Sequence, residues 1–282
     1  SDFTRVMIDL GNSCEDLNAG DAATTIAQFA NIMGTSQSQF SNIGSTLVDL
    51  GNNFATTEKP IMEMAHRMAG AGKQVGLTEA QVLGFAAALS SDAPAPGGGC
   101  AAALTGALGA ALTAMVCALT LDRKKYAEHQ ALARQTLAQA RELQARLLEY
   151  MDEDTRAFGQ MSAAFALPKE TPEQKAARSA AIQQALSVCT ETPLSVMVLA
   201  LQALELACGA MGKTNASALS DLGVAALSLR AALQGAWLNV LINTGSMKDA
   251  VLAADCRARG AALLERGLPL AEGLYQSVLS AL

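Results

Sequence analysis

Aromatic and basic residues are both scarce in this 282-residue chain. Aromatic side chains make up 4% of it, and 20 Lys and Arg residues are outnumbered by 26 Asp and Glu residues. The net charge is therefore -6, with a pI near 5.0. Because nucleic-acid-binding proteins present clustered positive charge, this balance argues against a nucleic-acid partner. A convincing pair of strand patterns is also missing, so a β-rich fold is not expected.

Metal-binding patterns are missing as well. The two histidines, His66 and His129, lie far apart and have no obvious partners for a zinc site or a Ser-His-Asp triad. The six cysteines form no C-x-x-C pair and lie among Ala, Val and Leu, a pattern typical of free buried thiols in a reducing compartment. The sequence therefore predicts a cytoplasmic protein whose chemistry needs no metal.

Targeting and membrane signals are weak. The chain begins Ser-Asp-Phe without a basic and then apolar progression, so we expect no signal peptide and interpret the chain as a fragment or a processed product. One uncharged stretch, residues 97–121, is long enough to cross a bilayer. Its apolar content is mostly Ala and Gly, which partition weakly into lipid. We expect this segment to pack against other helices rather than to span a membrane.

Ala, Leu and Met are abundant, and apolar residues recur at a spacing of about 3.6 through most of the chain. A hydrophobic content of 51% is enough to bury a sizeable core. These features predict an all-α fold.

The most constrained stretch reads Asp-Ala-Pro-Ala-Pro-Gly-Gly-Gly, at residues 92–99. Its prolines keep the backbone extended, and its glycines let another backbone or a flat ligand approach closely. One interpretation is a loop that only opens a buried helix. The other is a ligand-facing loop, because free amides at a helix N-terminus attract anions and carbonyl oxygens. A nucleotide-binding loop is excluded, since no Lys-Ser or Lys-Thr follows and no predicted strand precedes it.

The first part of the chain differs in composition and is rich in Gly, Asn, Ser and Thr. Its runs at residues 27–34, 40–58 and 69–79 resemble those of phage tail tape-measure proteins, and the resemblance covers about residues 1–91. It implies a piece of a helical rod. We assign residues 1–77 to this segment as a first domain.

The second part, residues 78–282, carries patterns in a fixed order. After the loop come Lys-Lys-Tyr at 124–126, Asp-Glu-Asp at 152–154, Leu-Pro-Lys at 167–169, Pro193, the run 215–226 and the run 235–243. This order resembles the formiminotransferase-cyclodeaminase family, in particular its free-standing bacterial cyclodeaminases and methenyltetrahydrofolate cyclohydrolases. The resemblance implies a helical bundle that forms a homodimer, with a folate substrate bound in a cleft between subunits. It also implies proton transfer at the one-carbon bridge without a metal.

The substrate-binding candidates under this resemblance come from the loop, a lysine pair and two asparagines, namely Asp92, Pro96, Gly97, Gly98, Gly99, Lys124, Lys125, Asn239 and Asn243. The lysines are expected either to hold the folate glutamate carboxylates or simply to begin a solvated helix. For the asparagines, the alternative is a hydrogen bond between helices. Cys100 departs from the family, which usually has Ser there, and a thiol is the weaker hydrogen-bond donor.

Two carboxylates, Asp154 and Asp221, are the catalytic candidates. Asp152 and Asp154 are two residues apart and cannot share a helix face, so at most one of them faces a cleft, and Asp154 lines up with Phe158 and Met161. Asp221 begins a predicted helix, where it acts either as an N-cap or as an acid or base.

Asp221 and Asn239 are 18 residues apart, which is five helical turns, so they share a face but lie roughly 27 Å apart on an unbroken helix. They cannot both touch one folate ring from the same subunit. Either one of them is structural, or a dimer brings Asn239 to the neighbour's site.

The rival interpretation is a structural protein derived from a tape measure, in which the loop only packs helices. Asp154, Asp221, Asn239 and Asn243 argue against it, because a purely structural rod would have to accommodate these polar groups without purpose. The sequence leaves open which of the two folate reactions takes place.

Overall fold

The computed structural model describes residues 79–282, and the regular elements of this part are helices. Six α-helices follow in order: α1 Glu79–Ser90, α2 Gly98–Ala118, α3 Gln130–Ala166, α4 Pro172–Ala210, α5 Leu219–Gly245 and α6 Ala250–Ala281. Short 3-10 helices at Lys124–His129 and Ala216–Ala218 precede α3 and α5. The predicted all-α fold is confirmed.

The chain divides into two compact units, residues 1–96 and 97–282. Helix α1 and the loop residues Asp92 and Pro96 belong to the first unit, and helices α2 to α6 form the second. Residues 1–78 lie outside the described part of the chain. The tape-measure segment and the predicted domain boundary at residues 77 and 78 therefore stay predictions.

Helix α4 begins at a capping signal that the sequence carries as Thr-Pro-Glu-Gln, residues 171–174. The Thr171 hydroxyl accepts a hydrogen bond from the Gln174 amide at 3.2 Å, and the Gln174 side chain accepts one from the Thr171 amide at 3.1 Å. Pro172 occupies the first helical position, where its missing N–H costs nothing. This capping box explains why the chain restarts as a helix directly after the Leu-Pro break.

A proline in the middle of a helical pattern is expected to kink or split the helix. Here α4 is not split, since it continues through Pro193 as one helix. A proline inside a helix leaves the carbonyl four residues earlier without its usual donor. Here that carbonyl belongs to Cys189, and the side-chain amide of Asn243 on α5 donates to it at 2.7 Å. A donor from a neighbouring helix thus replaces the lost backbone hydrogen bond.

Helix α2 lies at the centre of the second unit and packs against α3, α4 and α5, while α6 packs against α4 and α5. α2 and α5 run antiparallel: Gly98 at the start of α2 neighbours Asn239 near the end of α5. At the opposite end, the Asn215 amide donates to the Thr120 hydroxyl at 2.8 Å. Large side chains fill the core from the surrounding helices, the largest fully buried ones being Leu147, Leu194, Met197, Leu199, Leu204 and Leu222.

Small residues let α2 approach its neighbours closely. A Cβ at Gly109 would lie 2.5 Å from Cγ of Leu229 and 3.1 Å from the carbonyl oxygen of Ala225, both on α5. A Cβ at Gly106 would lie 3.3 Å from the Ala232 Cβ. The distance between α2 and α5 is therefore set by the missing side chains of α2.

Within residues 79–282, three helical segments are long and apolar enough to cross a membrane: Gly98–Ala118, Pro172–Ala210 and Ala216–Gly245. Their most apolar windows are 78%, 61% and 44% buried inside the structure. The helical segment with the least buried window carries a row of exposed side chains on α5, which we call the α5 stripe: Val224, Leu227, Ala231, Leu238 and Ile242. The predicted absence of a membrane partner stays a prediction.

The close packing of α2 predicts opposite effects for two glycine substitutions. Gly109→Ala should lower the free energy of unfolding by about 1–3 kcal/mol, because the new methyl group collides with α5. Gly159→Ala on α3 meets nothing within 4 Å and should raise it by about 0.5–1 kcal/mol, since alanine loses less backbone entropy in a helix. Urea unfolding of both variants measures the difference. Equal effects would contradict this account of α2.

Candidate active site

The carboxylate of Asp154 lies against the first turn of α2. A Cβ at Gly99 would lie 2.1 Å from Oδ1 of Asp154, so this approach requires glycine at position 99. The Cys100 thiol donates to Oδ2 of Asp154 at 3.3 Å, and the backbone N–H of Cys100 also donates to this carboxylate. The N-cap residue, Gly97, has no side chain to accept from the free amides of the first turn. Asp154 from α3 therefore serves as an acceptor at this helix end.

Burial determines the ionisation of this cluster. It raises the pKa of Asp154 above its ordinary value of 3.8, and the hydrogen bonds from Cys100 offset part of the rise. Burial also raises the pKa of the Cys100 thiol, and it raises that of Cys189, to which the negative charge of Asp154 adds. Both thiols are therefore protonated at neutral pH, while the carboxyl group titrates closer to neutrality than an ordinary aspartate.

Helix α5 brings Asn239 to the same place. Its Nδ2 lies 3.7 Å from the position of a Cβ at Gly98 and donates to the carbonyl oxygen of Gly235 at 2.9 Å. The fold thus unites five of the predicted site residues at one end of the bundle. We call this group the glycine end: Gly97, Gly98, Gly99, Asp154 and Asn239.

Asn243, one turn further along α5, uses its side-chain N–H to bind the Cys189 carbonyl. This is the hydrogen bond between helices that the sequence analysis gave as the alternative for the two asparagines. A part for Asn243 in substrate binding stays a prediction. Asp152 is exposed while Asp154 is half-buried, as expected for two residues that cannot share a helix face.

Lys124, Lys125 and Asp221 lie at the other end of α2, and we call these three residues the lysine end. The 3-10 helix that carries the lysines contacts the start of α5, where the Ala216 amide donates to the Tyr126 hydroxyl at 3.0 Å. Nζ of Lys125 lies 5.6 Å from the centroid of the Tyr126 ring.

Asp221 lies in the first turn of α5, whose N-cap is Ala218. The N-cap alternative for Asp221 is therefore wrong, because the helix begins two residues before it. A carboxylate in the first turn is still favoured by the helix dipole.

The 21 residues of α2 separate the two ends of the bundle by roughly 30 Å. The predicted site residues of residues 97–282 consequently form two groups within one chain. Asp92 and Pro96 belong to the first unit.

Three neighbours of Cys100 and Asp154 were not among the predicted site residues: Thr155, whose hydroxyl is 3.5 Å from the Cys100 sulfur, the Met151 carbonyl and Cys189. Cys189 could have been found from Pro193, because a proline inside a helix leaves the carbonyl four residues earlier in need of a new donor. Residues 79–282 contain no group of three or more His, Cys, Asp and Glu residues that could hold a metal ion. The prediction of a metal-free reaction is not tested by this observation.

Comparison with known proteins identifies the family. A family model described as Formiminotransferase-cyclodeaminase matches residues 81–262. The chain belongs to the formiminotransferase-cyclodeaminase family. It is 41% identical to a methenyltetrahydrofolate cyclohydrolase of Methylorubrum extorquens over 196 residues, which are 70% of this chain and 94% of that relative.

Longer relatives and a solved structure support the same family. The chain is 37% identical to the formimidoyltransferase-cyclodeaminase of Rattus norvegicus over 201 residues, and it spans only 36% of the length of that protein. A crystal structure of formiminotetrahydrofolate cyclodeaminase from Thermotoga maritima matches with a TM-score of 0.58 at 25% identity, covering 69% of this chain and 91% of that one. The prediction of a folate one-carbon enzyme of this family is confirmed. Because the family match begins at residue 81, the tape-measure resemblance of the first segment stays a prediction.

The raised pKa of Asp154 predicts a pH-dependent effect of Asp154→Asn on stability. As pH rises through 3.8, the unfolded chain loses this proton before the folded chain does, so wild-type stability falls until the folded pKa is passed. Asparagine has no such proton. The free energy of unfolding of the variant relative to wild type should therefore increase across this window. Chemical denaturation between pH 3.5 and pH 7.5, roughly spanning that window, measures it.

The matched control is Asp152→Asn, which removes the same charge from an exposed position two residues away. A difference between Asp154→Asn and wild type that does not change with pH would contradict the buried, proton-retaining environment of Asp154.

Proposed function

We propose that this protein hydrolyses 5,10-methenyltetrahydrofolate to a formyltetrahydrofolate. The observation that carries the proposal is the half-buried Asp154 carboxylate lying against the glycine-opened end of α2. The similarity to a cyclohydrolase over 94% of that relative's length supports this reaction. The second candidate is formiminotetrahydrofolate cyclodeaminase activity, which the name of the Thermotoga maritima structure supports.

The hydrolysis needs one group that can accept and return a proton. Water forms a bond to the bridge carbon and gives a proton to Asp154, and the cationic bridge becomes neutral. One carbon–nitrogen bond then breaks, the leaving nitrogen takes the proton back from Asp154, and the hydroxyl on the carbon loses its proton as the formyl C=O forms. The two hydrogens of water thus end on nitrogen and in solvent. Asp154 is unchanged after the cycle.

The environment of Asp154 suits this part. A carboxyl group whose pKa is raised toward neutrality accepts a proton more readily than an ordinary aspartate and can return it within the same cycle. Its negative charge also complements the cationic methenyl bridge. The free amides of Gly98 and Gly99, at the positive end of the α2 dipole, are available to the oxygen that develops on the bridge carbon.

The cyclodeaminase reaction would use the same group for a different proton. A folate N–H attacks the carbon of the protonated formimino group, the attacking nitrogen loses its proton, the formimino nitrogen takes up one proton, and ammonia leaves as the cationic methenyl bridge forms. A group poised to donate and accept protons serves both reactions, so the two candidates share Asp154 and differ in the substrate supplied.

The first test is the absorbance of 5,10-methenyltetrahydrofolate, whose conjugated bridge absorbs where the formyl product does not. We expect wild type to accelerate loss of this band and Asp154→Asn to lower kcat by about 100-fold or more, the usual effect of removing a general acid or base. Asp152→Asn should retain wild-type turnover.

A second substrate separates the two reactions. If formiminotetrahydrofolate yields the methenyl band and ammonia faster than the band is hydrolysed, the chain is a cyclodeaminase instead. Equal turnover by wild type and Asp154→Asn would remove Asp154 from the mechanism.

We also propose that the protein is a homodimer in which two subunits complete each folate site. The α5 stripe supports a partner surface, because Leu238 is 65% exposed and Ile242 is 71% exposed on one helix face. Large apolar side chains exposed along one helix face mark protein interfaces, and here Gln234 is the polar residue between the two halves of the stripe. A second copy of the chain is the occupant that also resolves the separation of the two groups of site residues.

A two-fold axis near Ala231, the middle of the stripe, would pair the two copies of α5 antiparallel. Asp221 of the partner subunit would then lie close to Asn239, because the two positions are nearly equidistant from the axis in sequence. Lys124 and Lys125 of the partner subunit would reach the same cleft and bind the glutamate carboxylates of the folate. This arrangement keeps Asp221 as a second acid–base candidate and the lysines as substrate ligands.

Complementation between inactive variants tests this sharing. Asp154→Asn and Asp221→Asn should each be inactive alone. Unfolded together and refolded as a 1:1 mixture, they should recover about a quarter of wild-type activity, since half of the dimers are mixed and each mixed dimer has one site free of both substitutions.

Activity that stays at the level of the single variants would show that both residues serve the same subunit's site. As a control on the interface, Ile242→Asp should yield a monomer by light scattering, whereas Val251→Asp, at an exposed position on α6, should leave the dimer intact.

The remaining parts of the proposal concern the partners of the enzyme, its cellular compartment and the origin of its first segment. A net charge of -6 supports a protein without a nucleic-acid partner. The five described cysteines, Cys100, Cys117, Cys189, Cys208 and Cys256, are free thiols, which supports a reducing compartment such as the cytoplasm. We propose further that residues 1–77 derive from a phage tape-measure protein, on the strength of their sequence runs alone.

A further inference from the structure

Cys100 contacts Asp154 from a position that substrate cannot reach. Its side chain is 1% exposed, and its sulfur lies 3.3 Å from Oδ2 of Asp154 and 3.2 Å from the carbonyl oxygen of Met151. Among the hydrogen bonds of residues 79–282, this thiol is the side-chain donor to the Asp154 carboxylate. Any influence of Cys100 on the reaction must therefore act through Asp154.

The thiol has one proton and three neighbouring oxygens: Oδ2 of Asp154, the Met151 carbonyl and, further away at 3.5 Å, the Thr155 hydroxyl. The two closer oxygens, those of Asp154 and Met151, compete for the proton. An ionised carboxylate is a stronger acceptor than a backbone carbonyl, whereas a protonated carboxyl group is a weaker one. The thiol proton should therefore point to Asp154 when that group is ionised and to Met151 when it is protonated. Since Met151 and Asp154 lie on the same turn of α3, the switch needs only a rotation about the Cβ–Sγ bond.

We propose that Cys100 is a positioning residue for the folate reaction, whose thiol donates to the Asp154 carboxylate and holds it against α2 when Asp154 is ionised, and turns to the Met151 carbonyl when Asp154 is protonated. This inference rests on the proposed role of Asp154 as the acid–base group. It assigns to Cys100 a part in the proton-transfer cycle without any contact to substrate.

The other groups around Asp154 do not compete with the Cys100 thiol for its hydrogen bond to the carboxylate. The titratable groups that face Asp154 are two thiols, Cys100 from α2 and Cys189 from α4. The Cys189 sulfur donates to the carbonyl oxygen of Ala157 at 3.3 Å and is thereby occupied. From α5, the nearby Asn239 side chain is neutral, and its N–H is bound to the Gly235 carbonyl.

Replacing the Cys100 thiol should change the pKa of Asp154, with the lowest value in the serine variant and the highest in the alanine variant. Cys100→Ser supplies a stronger donor, which stabilises the carboxylate and lowers the pKa of Asp154. Cys100→Ala supplies none and raises it. Between these two variants we expect a shift of about 0.5–1 pH unit, the equivalent of one hydrogen bond to a charged group at a weak donor geometry.

Carbon NMR of aspartate carboxyl groups in the full chain, without substrate, measures the pKa of Asp154 directly, with the Asp154→Asn spectrum providing the assignment. In parallel, the pH profile of kcat/KM for methenyltetrahydrofolate hydrolysis should show its acidic limb moving in the order Ser, wild type, Ala. Circular dichroism checks that each variant folds. If the alanine variant does not fold, Cys100→Ser compared with wild type still gives the direction in which the pKa of Asp154 shifts.

The outcomes separate this inference from the proposed function. If the NMR titration moves in the expected order and the kinetic limb moves with it, Cys100 positions the acid–base group. If the titration moves and no variant turns over a folate, the contact is as described and the proposed function is wrong. If the three titrations coincide while only stability changes, Cys100 merely fills space and the inference is overturned.

Discussion

The carboxylate of Asp154 occupies the space that a side chain at Gly99 would need, and much of the candidate site depends on this one contact. It joins two groups that are each unfavourable alone. The first amides of α2 lack partners within the helix, and Gly97 offers them none. A buried carboxylate without donors is equally costly. Cys100 in this first turn donates to the carboxylate, and the net result is an acid whose pKa stays above its ordinary value because burial outweighs the hydrogen bonds.

Glycine and alanine at several positions of α2 also let its neighbouring helices approach closely. Glycine at 109 lets α5 come within a distance that any side chain would prevent. The same approach carries Asn239 to the start of α2. The amide of Asn243, bound to the carbonyl that Pro193 leaves free, joins α5 to α4 beside Cys189. The position of the polar groups is thus a consequence of helix packing rather than of any loop that encloses them.

The division of the site residues into two groups follows from the same geometry. A helix of 21 residues separates the glycine end from the lysine end, and no side chain crosses roughly 30 Å. A single subunit therefore presents five of the predicted site residues at the glycine end and three at the lysine end. The exposed apolar face of α5 lies between them, which is why a second copy is the natural way to combine acid–base groups with the basic residues that would bind the folate glutamate.

Several features of this protein can be predicted from short stretches of its sequence. The capping box at Thr171, the uncharged helix after the glycines and the separation of Asp152 from Asp154 were all readable from the sequence, since each depends on residues within one or two helical turns. The order of motifs along residues 78–282 also identified the family. The continuity of α4 through Pro193 was not readable, because the donor that compensates it, Asn243, comes from another helix.

The environment of Asp154 was decided by tertiary structure in the same way. The sequence marked Asp154, Gly99 and Cys100 as separate features, 55 residues apart at the extremes. Only the packing of α3 on α2 made them one cluster, excluded substrate from the Cys100 thiol and raised the pKa of the carboxyl group. Propensity and capping act locally and can be read along a chain, whereas burial and desolvation depend on which distant helix covers a residue.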